Sequence, residues 1–324
     1  MTWIDDAALE RLRQAADSPD LEGTRYQLLG KLGQGGMGGV YRVEDRQLER
    51  QVAMKVILVP DADGGLSRRL LREARTIAQL EHPGIVPVHD AGTLPDGRPY
   101  YTMKLVEGQS LDEHIASVPA ISDRLRLFLR ICDAVAFAHA RGVLHRDLKP
   151  GNVMVGPFGE VLVMDWGLSK ALLQASKIEN CDAQPSESKQ SQLSGQTGHG
   201  TVLGTPGYMA PEQGAGGAVD ARSDIYSLGA ILQFLLVHST SVATPRALEA
   251  IRKQAIAEDP NQRYPTVGEL STDIEHFLDG LPVTAYPEGP LRRAWRWTLR
   301  NRAWLLLLLV YVVVRAVLIF FRPR

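Results

Sequence analysis

The spacing of hydrophobic and polar residues changes along this chain, and the change predicts where strands and helices lie. Short apolar or β-branched runs at residues 26–32, 40–43 and 51–57 predict three strands near the start. Apolar residues then recur every three or four positions at residues 67–80 and 123–141, which predicts two amphipathic helices. The second helix has a wide apolar face, so we expect it to be the buried centre of a helical region.

An apolar run closes the sequence, from residue 303 to residue 321, and Arg315 alone interrupts it. A run of this length can just cross about 30 Å of hydrocarbon, so it predicts a transmembrane helix. A central Arg315 would cost roughly 2.5–3.5 kcal/mol, but it lies towards the C-terminal end and can extend its guanidinium to the interface. A buried or interfacial helix is the alternative.

Arginine flanks this apolar run unequally, with five before it and two after it. Positively charged flanks stay on the cytoplasmic side of a membrane. The asymmetry therefore predicts a single-pass membrane protein whose preceding domain is cytoplasmic. The arginines are Arg292, Arg293, Arg296, Arg300 and Arg302 before the run, and Arg322 and Arg324 after it.

Composition limits the remaining possibilities. A chain of 324 residues with 44% hydrophobic content can bury a large core, in one two-lobed domain or in two ordinary domains. The formal net charge of −1 provides no overall basic field for nucleic acid. Two cysteines give no disulfide framework and fit a reducing compartment, and residues 1–20 contain no secretory signal.

A glycine-rich stretch joins the first two predicted strands. Gly33, Gly35, Gly38 and Val40 fit the pattern G-x-G-x-x-G-x-V. Glycines allow backbone N–H groups to approach phosphate oxygens, and dinucleotide-binding folds use a related pattern. Those folds need a helix directly after the glycines, whereas a strand is predicted here. A hairpin that covers a nucleotide therefore fits the stretch better.

Lys55 carries the only charge in the centre of the third predicted strand. Burying a lone ammonium is costly, so it should have an anionic partner. Glu73 is the only acid within the following predicted helix and is the natural candidate. The alternatives are an edge-strand Lys55 that points to solvent and a Glu73 that forms an ordinary surface ion pair.

Residues 145–152 are dense in groups that can act on a phosphate. The carboxylate of Asp147 can orient a hydroxyl and accept its proton. The ammonium of Lys149 can neutralise a transferring phosphoryl group, and the amide oxygen of Asn152 can complete a Mg²⁺ shell. A polar turn between two helices is the alternative for this run.

The same run closely resembles the catalytic loop of eukaryotic-like protein kinases, H-R-D-x-K-x-x-N. Further stretches in the order of that family are similar to its motifs over about residues 26–280, and the combination looks most like its bacterial Ser/Thr members. The resemblance implies an α+β, bilobal protein-kinase fold with a small β-rich N-lobe and a larger helical C-lobe. The stretches are V-A-M-K at 52–55, D-W-G at 165–167, G-T-P-G-Y-M-A-P-E at 204–212 and the segment 220–229.

The resemblance also implies the reaction, which is transfer of the γ-phosphoryl group of ATP to a Ser or Thr hydroxyl. Asp147 and Lys149 would be the catalytic pair, and Asn152 and Asp165 would hold Mg²⁺. Lys55, paired with Glu73, would position the α- and β-phosphates. The other ATP-binding positions implied are Leu32, Gly33, Gln34, Gly35, Gly36, Met37, Gly38, Gly39, Val40, the gatekeeper Met103 and the hinge residue Leu105.

Residues 173–200 are rich in Ser, Gln, Lys and Gly and lie where the family has its activation loop. Phosphate added there would be ordered by the cation of Arg146. The resemblance assigns structural or regulatory roles to several further residues. These are the acceptor candidates Thr197 and Thr201, Thr205 beside the catalytic pair, Asp224 under the catalytic loop, and the ion pair of Glu212 with Arg263.

Two features depart from the family pattern. Trp166 stands where the family has Phe, and residues 237–245 leave almost no sequence for the helix αG that docks substrates. A pseudokinase that acts as a membrane-bound docking module is therefore the alternative function.

The expected organisation is a helical arm at 1–25, the kinase domain at 26–280, a basic juxtamembrane linker at 281–302 and the transmembrane helix at 303–321. The expected partners are ATP, protein substrates, the membrane and a second copy of the chain for autophosphorylation in trans.

Overall fold

The computed structural model describes residues 18–35, 38–57, 71, 74–166, 207–237 and 244–287, together with Trp304 and Tyr311. Several predicted positions lie outside the described residues. They are the arm at 1–17, Gly36, Met37, Glu73, Thr197, Thr201 and Thr205, and all of the predicted span except Trp304 and Tyr311.

A five-stranded antiparallel sheet forms the first part of the fold, in the order β1-β2-β3-β5-β4. Gly33 lies opposite Val40 and Gly35 opposite Gly38, so the glycine-rich stretch is the end of a β-hairpin. The prediction that a strand follows the glycines is confirmed. The strands are β1 Tyr26–Gly35, β2 Gly38–Asp45, β3 Arg50–Ile57, β4 Val88–Thr93 and β5 Pro99–Lys104.

The pleat of this sheet separates two sets of side chains, because successive residues of a strand point to opposite faces. Met54 and Val56 of β3 are buried in a small cluster on one face. Ala53 is buried in the main core on the other face, where Lys55 also belongs by alternation. Tyr101, on the neighbouring strand, lies directly opposite Lys55 in the register. The sheet thus presents Lys55 towards the helical part of the protein.

The second part of the fold is mainly helical, and its longest helix runs from Ile121 to Ala140, close to the predicted 123–141. Most of its apolar face is buried, including Phe128, Ile131 and Cys132. The helices are α1 Leu111–His114, α2 Ile121–Ala140, α3 Pro211–Gly214, α4 Ala221–Val237, α5 Arg246–Ala255 and α6 Val267–Leu278. A short sheet in the order β6-β7-β8 consists of Gln109–Ser110, Val153–Val155 and Val161–Val163.

Helix α5 follows α4 closely in sequence, with residues 238–245 between them. The two helices approach so tightly at Gly229 that a Cβ there would lie 2.7 Å from the Cβ of Ala255. The buried guanidinium of Arg124 donates to the carbonyl of Leu235 at 2.9 Å and so satisfies the end of α4. The interval of eight residues between α4 and α5 agrees with the sequence-based interpretation that this region is short.

Residues 283–286 pack against α6, although they belong to the predicted linker at 281–302. Asp273, fully buried on α6, accepts hydrogen bonds from the N–H of Thr284 at 2.7 Å and of Ala285 at 3.0 Å. The hydroxyls of Tyr264 and Thr284 donate to it at 2.8 Å each. Burial acts to raise the pKa of Asp273, but these donors outweigh it and the pKa is lowered. One carboxylate therefore holds the end of the domain together.

Within the described part of the chain, no helix combines the length and the apolar character that a membrane crossing needs. Residues 303–321 were predicted to form the span, and of these only Trp304 and Tyr311 are described.

Asp273→Asn should lower the melting temperature by about 5 °C, which corresponds to about 2 kcal/mol. The amide would place a donor against donors that now share a carboxylate. Thermal unfolding followed by circular dichroism measures the change, and Asp279→Asn, an exposed carboxylate at the end of the same helix, is the matched control. Equal melting temperatures for the two variants would contradict this role of Asp273.

Candidate active site

The β7–β8 hairpin brings two predicted metal ligands together. Val153, the first residue of β7, pairs with Val163, the last residue of β8. Asn152 immediately precedes β7 and Asp165 follows β8 by two positions, so both lie at the same end of the hairpin. The N–H of Met164 donates to the carbonyl of Asn152 at 2.8 Å, which extends the ladder towards Asp165.

The predicted catalytic pair lies beside this hairpin end. The amide nitrogen of Asn152 donates to the carbonyl of Asp147 at 2.7 Å and lies 3.3 Å from its carboxylate. The ammonium of Lys149 is 3.4 Å from the same carboxylate. Asp147, Lys149 and Asn152 therefore form one polar unit, and the alternative of an unconnected polar turn is not favoured.

Asp224 supports this unit from below, as the family resemblance implied. Its buried carboxylate accepts hydrogen bonds from the N–H groups of His145 and Arg146, each at 2.8 Å. The Nε2 atom of His139 lies 2.8 Å from the same carboxylate. Burial acts to raise the pKa of Asp224, but these partners outweigh burial and lower it. The carboxylate therefore stays ionised.

His145 is fully buried and links the catalytic loop to the β7–β8 hairpin. Its Nε2 atom is 2.8 Å from the carbonyl of Met164, and its Nδ1 atom accepts from the N–H of Asp147 at 3.2 Å. A carbonyl only accepts, so the ring proton belongs on Nε2 and the imidazole is neutral. Burial lowers the pKa of His145, which is consistent with a neutral ring.

Lys55 contacts the helical part of the fold through Asp165, with its ammonium 2.7 Å from the carboxylate. Burial acts to lower the pKa of Lys55, but Tyr101 and Asp165 outweigh it, and the pKa lies above its usual range. The Tyr101 side chain is itself buried, and burial raises the pKa of its phenol to about 12. The expected anionic partner of Lys55 exists among the described residues, and it is Asp165. The prediction for Glu73 remains a prediction.

The remaining predicted nucleotide-binding positions that are described lie on the strands of the same sheet or at their ends. Gly33 and Gln34 lie on β1 and Gly38, Gly39 and Val40 on β2, where the hairpin ends. Met103 is 8% exposed at the end of β5, and Leu105 follows that strand partly buried against the main core. Leu32, on β1, is 45% exposed.

Trp166 is buried and joins the same network, although its type departs from the family pattern. Its indole N–H donates to the carbonyl of Val163 at 3.1 Å. Its ring packs on His145 with centroids 4.7 Å apart. Phe can make the second contact but not the first, so Trp166 adds a bond that fixes the turn carrying Asp165, whose φ is +56°.

The ion pair of Glu212 with Arg263 lies further from the cleft. Arg263, buried, donates two hydrogen bonds to Glu212 at 2.7 and 2.8 Å, and the hydroxyl of Ser223 donates a third at 2.7 Å. Burial acts to raise the pKa of Glu212, but Arg263 and Ser223 lower it to about 2. The ion pair joins the start of α3 to the segment at Arg263, and Ser223 joins it to α4.

Sequence reasoning missed three contributors to the site. The side chains of His139, Ser223 and Gln213 are not among the site residues predicted from the sequence. Each lies near a motif that was identified, but its partner is distant in sequence, for example 85 residues away for His139 and Asp224. Local pattern carries no information about such contacts.

Comparisons with known proteins agree with this geometry. The family model described as "Protein kinase domain" matches residues 26–285, and the chain belongs to that family. The serine/threonine-protein kinase PknD of Protochlamydia amoebophila is 36% identical over 298 residues, which cover 79% of this chain and 30% of the relative. The DNA damage-responsive serine/threonine-protein kinase RqkA of Deinococcus radiodurans is 43% identical over 291 residues, covering 86% of this chain and 40% of the relative.

A solved structure shows the same fold. The kinase domain of Mycobacterium tuberculosis PknI matches with a TM-score of 0.56 and 28% identity, covering 78% of this chain and 95% of that one. The fold is therefore a protein-kinase fold with a β-sheet N-lobe and a helical C-lobe. This chain spans only about a third of the length of the PknD relatives that it matches.

The donor set suits the groups that the family implies. Asn152 and Asp165 offer amide and carboxylate oxygens, which are the ligands that Mg²⁺ prefers. Lys55 and Lys149 offer ammonium groups for phosphate oxygens. A magnesium–nucleotide complex therefore fits the residues present at the site.

Trp166→Phe should weaken the binding of Mg–ADP about fivefold. The substitution removes the hydrogen bond from the indole to the carbonyl of Val163, which fixes the turn that carries the predicted metal ligand Asp165. Binding of ADP without metal should change little. Isothermal calorimetry with and without Mg²⁺ measures both, and Trp304→Phe, outside the matched domain, is the control. A loss of equal size with and without metal would contradict this role of Trp166.

Proposed function

We propose that this chain is a membrane-anchored serine/threonine protein kinase. The observation that carries the kinase activity is the contact between Lys55 of the sheet and a group formed by Asp147, Asn152 and Asp165. Lys55 contacts Asp165 at 2.7 Å across the two lobes, and Asn152 bonds to Asp147 at 2.7 Å beside them. These are the groups that phosphoryl transfer requires.

Each residue has a part in the proposed reaction. The carboxylate of Asp147 orients the substrate hydroxyl and accepts its proton. The ammonium of Lys149 steadies the γ-phosphoryl group, and Lys55 positions the α- and β-phosphates. ATP would supply the phosphoryl group, and Mg²⁺ held by Asn152 and Asp165 would offset its charge. An O–P bond forms to the substrate oxygen, the bond between the γ-phosphorus and the β–γ bridging oxygen breaks, and ADP leaves.

Two observations bear on the acceptor and on the alternative function. Lys149, together with the predicted Thr205, favours Ser or Thr over Tyr as the acceptor. A pseudokinase is not favoured, because Lys55, Asp147, Asn152 and Asp165 are all present and lie together. Phosphorylation of Thr197 or Thr201 in trans would require two copies of the chain to meet, as they do in a homodimer.

Asp147→Asn should lower autophosphorylation in Mg–ATP by at least about a hundredfold, because the proton acceptor is lost while the shape is kept. Incorporation of labelled phosphate into the full chain measures the effect. Asp133→Asn, a carboxylate exposed on α2, is the matched control and should remain active. Equal incorporation by wild type and Asp147→Asn would overturn the kinase proposal.

The membrane anchor is supported by the sequence of residues 303–321 and by the arginines before it. The proposed topology places the kinase domain in the cytoplasm. Arg324→Cys, in a Cys181→Ser background, should then react with an impermeant maleimide on intact cells. Glu22→Cys, exposed on the domain, should react only after permeabilisation. Labelling of Arg324→Cys only after permeabilisation, or release of the protein by high salt, would contradict the span.

A further inference from the structure

The peptide between Arg146 and Asp147 carries the proposed base, and its backbone conformation is unusual. Arg146 has a φ of +66°, a region that L-residues adopt only at a cost of about 1–2 kcal/mol. Such a conformation persists only where surrounding groups hold it. The partners of the backbone groups on either side of this bond therefore decide how Asp147 is aimed.

Those backbone groups are bonded to side chains from several elements. The N–H of Arg146 donates to Asp224, and the N–H of Asp147 donates to His145. The carbonyl of Asp147 accepts from Asn152. The carbonyl of Arg146 accepts from the side-chain amide of Gln213 at 3.2 Å.

Gln213 lies on α3, directly after the stretch G-T-P-G-Y-M-A-P-E at 204–212. Its amide oxygen accepts from the N–H of Ala210 at 3.2 Å, while its amide nitrogen donates to Arg146. One half-buried side chain thus bridges the segment at 207–213 and the catalytic loop. A primary amide suits this bridge, because it offers an acceptor and a donor at one end.

The position of Gln213 is itself fixed. Its neighbour Glu212 is held by Arg263 and Ser223. The carbonyl of Tyr208, earlier in the same segment, accepts from Ser227 of α4 at 2.7 Å. The bridge therefore connects two segments that are both anchored on α4, and it can transmit a displacement of one to the other.

We propose that Gln213 is a positioning residue for the phosphoryl-transfer step. By holding the Arg146 carbonyl it orients Asp147, and it makes that orientation depend on the placement of residues 207–213. This inference deepens the proposed kinase function and rests on it for its catalytic consequence. Its structural content, that Gln213 holds the catalytic loop, stands apart from activity.

Two substitutions at position 213 test this role of Gln213. Gln213→Met keeps the length and removes both hydrogen bonds, whereas Gln213→Glu keeps the acceptor for Ala210 and loses the donor for Arg146. Both should lower kcat about tenfold with the KM for ATP unchanged, because the nucleotide contacts other residues. Gln262→Met, exposed in the same lobe, is the matched control and should keep wild-type kcat.

Hydrogen exchange provides a readout that does not need catalysis. In both variants the peptide containing residues 143–149 should exchange about tenfold faster than in wild type, while the β1–β3 region stays unchanged. Unchanged exchange in that peptide would overturn the inference even if the kinase is active. A Gln213→Glu variant with wild-type kcat would also overturn it. A wild-type protein no more active than Asp147→Asn would overturn the proposed function instead, and the exchange result would still decide whether Gln213 holds the loop.

Discussion

The rest of the site depends on the need to satisfy one buried carboxylate. Asp224 is 1% exposed, and an ionised carboxylate in such surroundings is costly unless hydrogen-bond donors replace its water. Two of the donors are the backbone N–H groups of His145 and Arg146. The catalytic loop thus takes the place of water around Asp224. Any movement of the loop away from α4 leaves this charge unsatisfied, so the loop has a strongly preferred conformation.

The two departures from the family pattern act on different parts of the molecule. Trp166 adds a hydrogen bond to the turn that carries Asp165, within the unit that handles phosphate and metal. The short connection after α4 leaves little sequence for the family's helix αG, and α5 packs directly on Gly229. One departure therefore adds a hydrogen bond near the proposed metal site, and the other shortens the connection between α4 and α5.

Features with a local cause were predictable from the sequence. The strand after the glycines follows from β-branched and aromatic residues at 40–43, and helix α2 follows from its apolar period. Features that depend on a distant partner were not predictable. Residues 283–286 were predicted to be part of a linker, but they pack on the domain because the N–H groups of Thr284 and Ala285 donate to the buried carboxylate of Asp273. His139 likewise gains its role only once α4 lies beside α2.

Two consecutive residues of helix α4 bond to two different segments, the segment at 207–213 and the catalytic loop. The hydroxyl of Ser223 donates to Glu212, which belongs to the segment at 207–213. The carboxylate of Asp224 accepts from His145 of the catalytic loop. A helix keeps neighbouring residues at fixed distances, so the base and the end of this segment are set relative to each other before any substrate binds. The contact of Lys55 with Asp165 is different, since it joins β3 to the turn after β8 across the two lobes through one ion pair. That ion pair is the point where nucleotide binding can change the site without breaking the core. The catalytic loop is therefore tied to α4 by two backbone hydrogen bonds, whereas the contact of Lys55 with Asp165 is a single ion pair between the lobes.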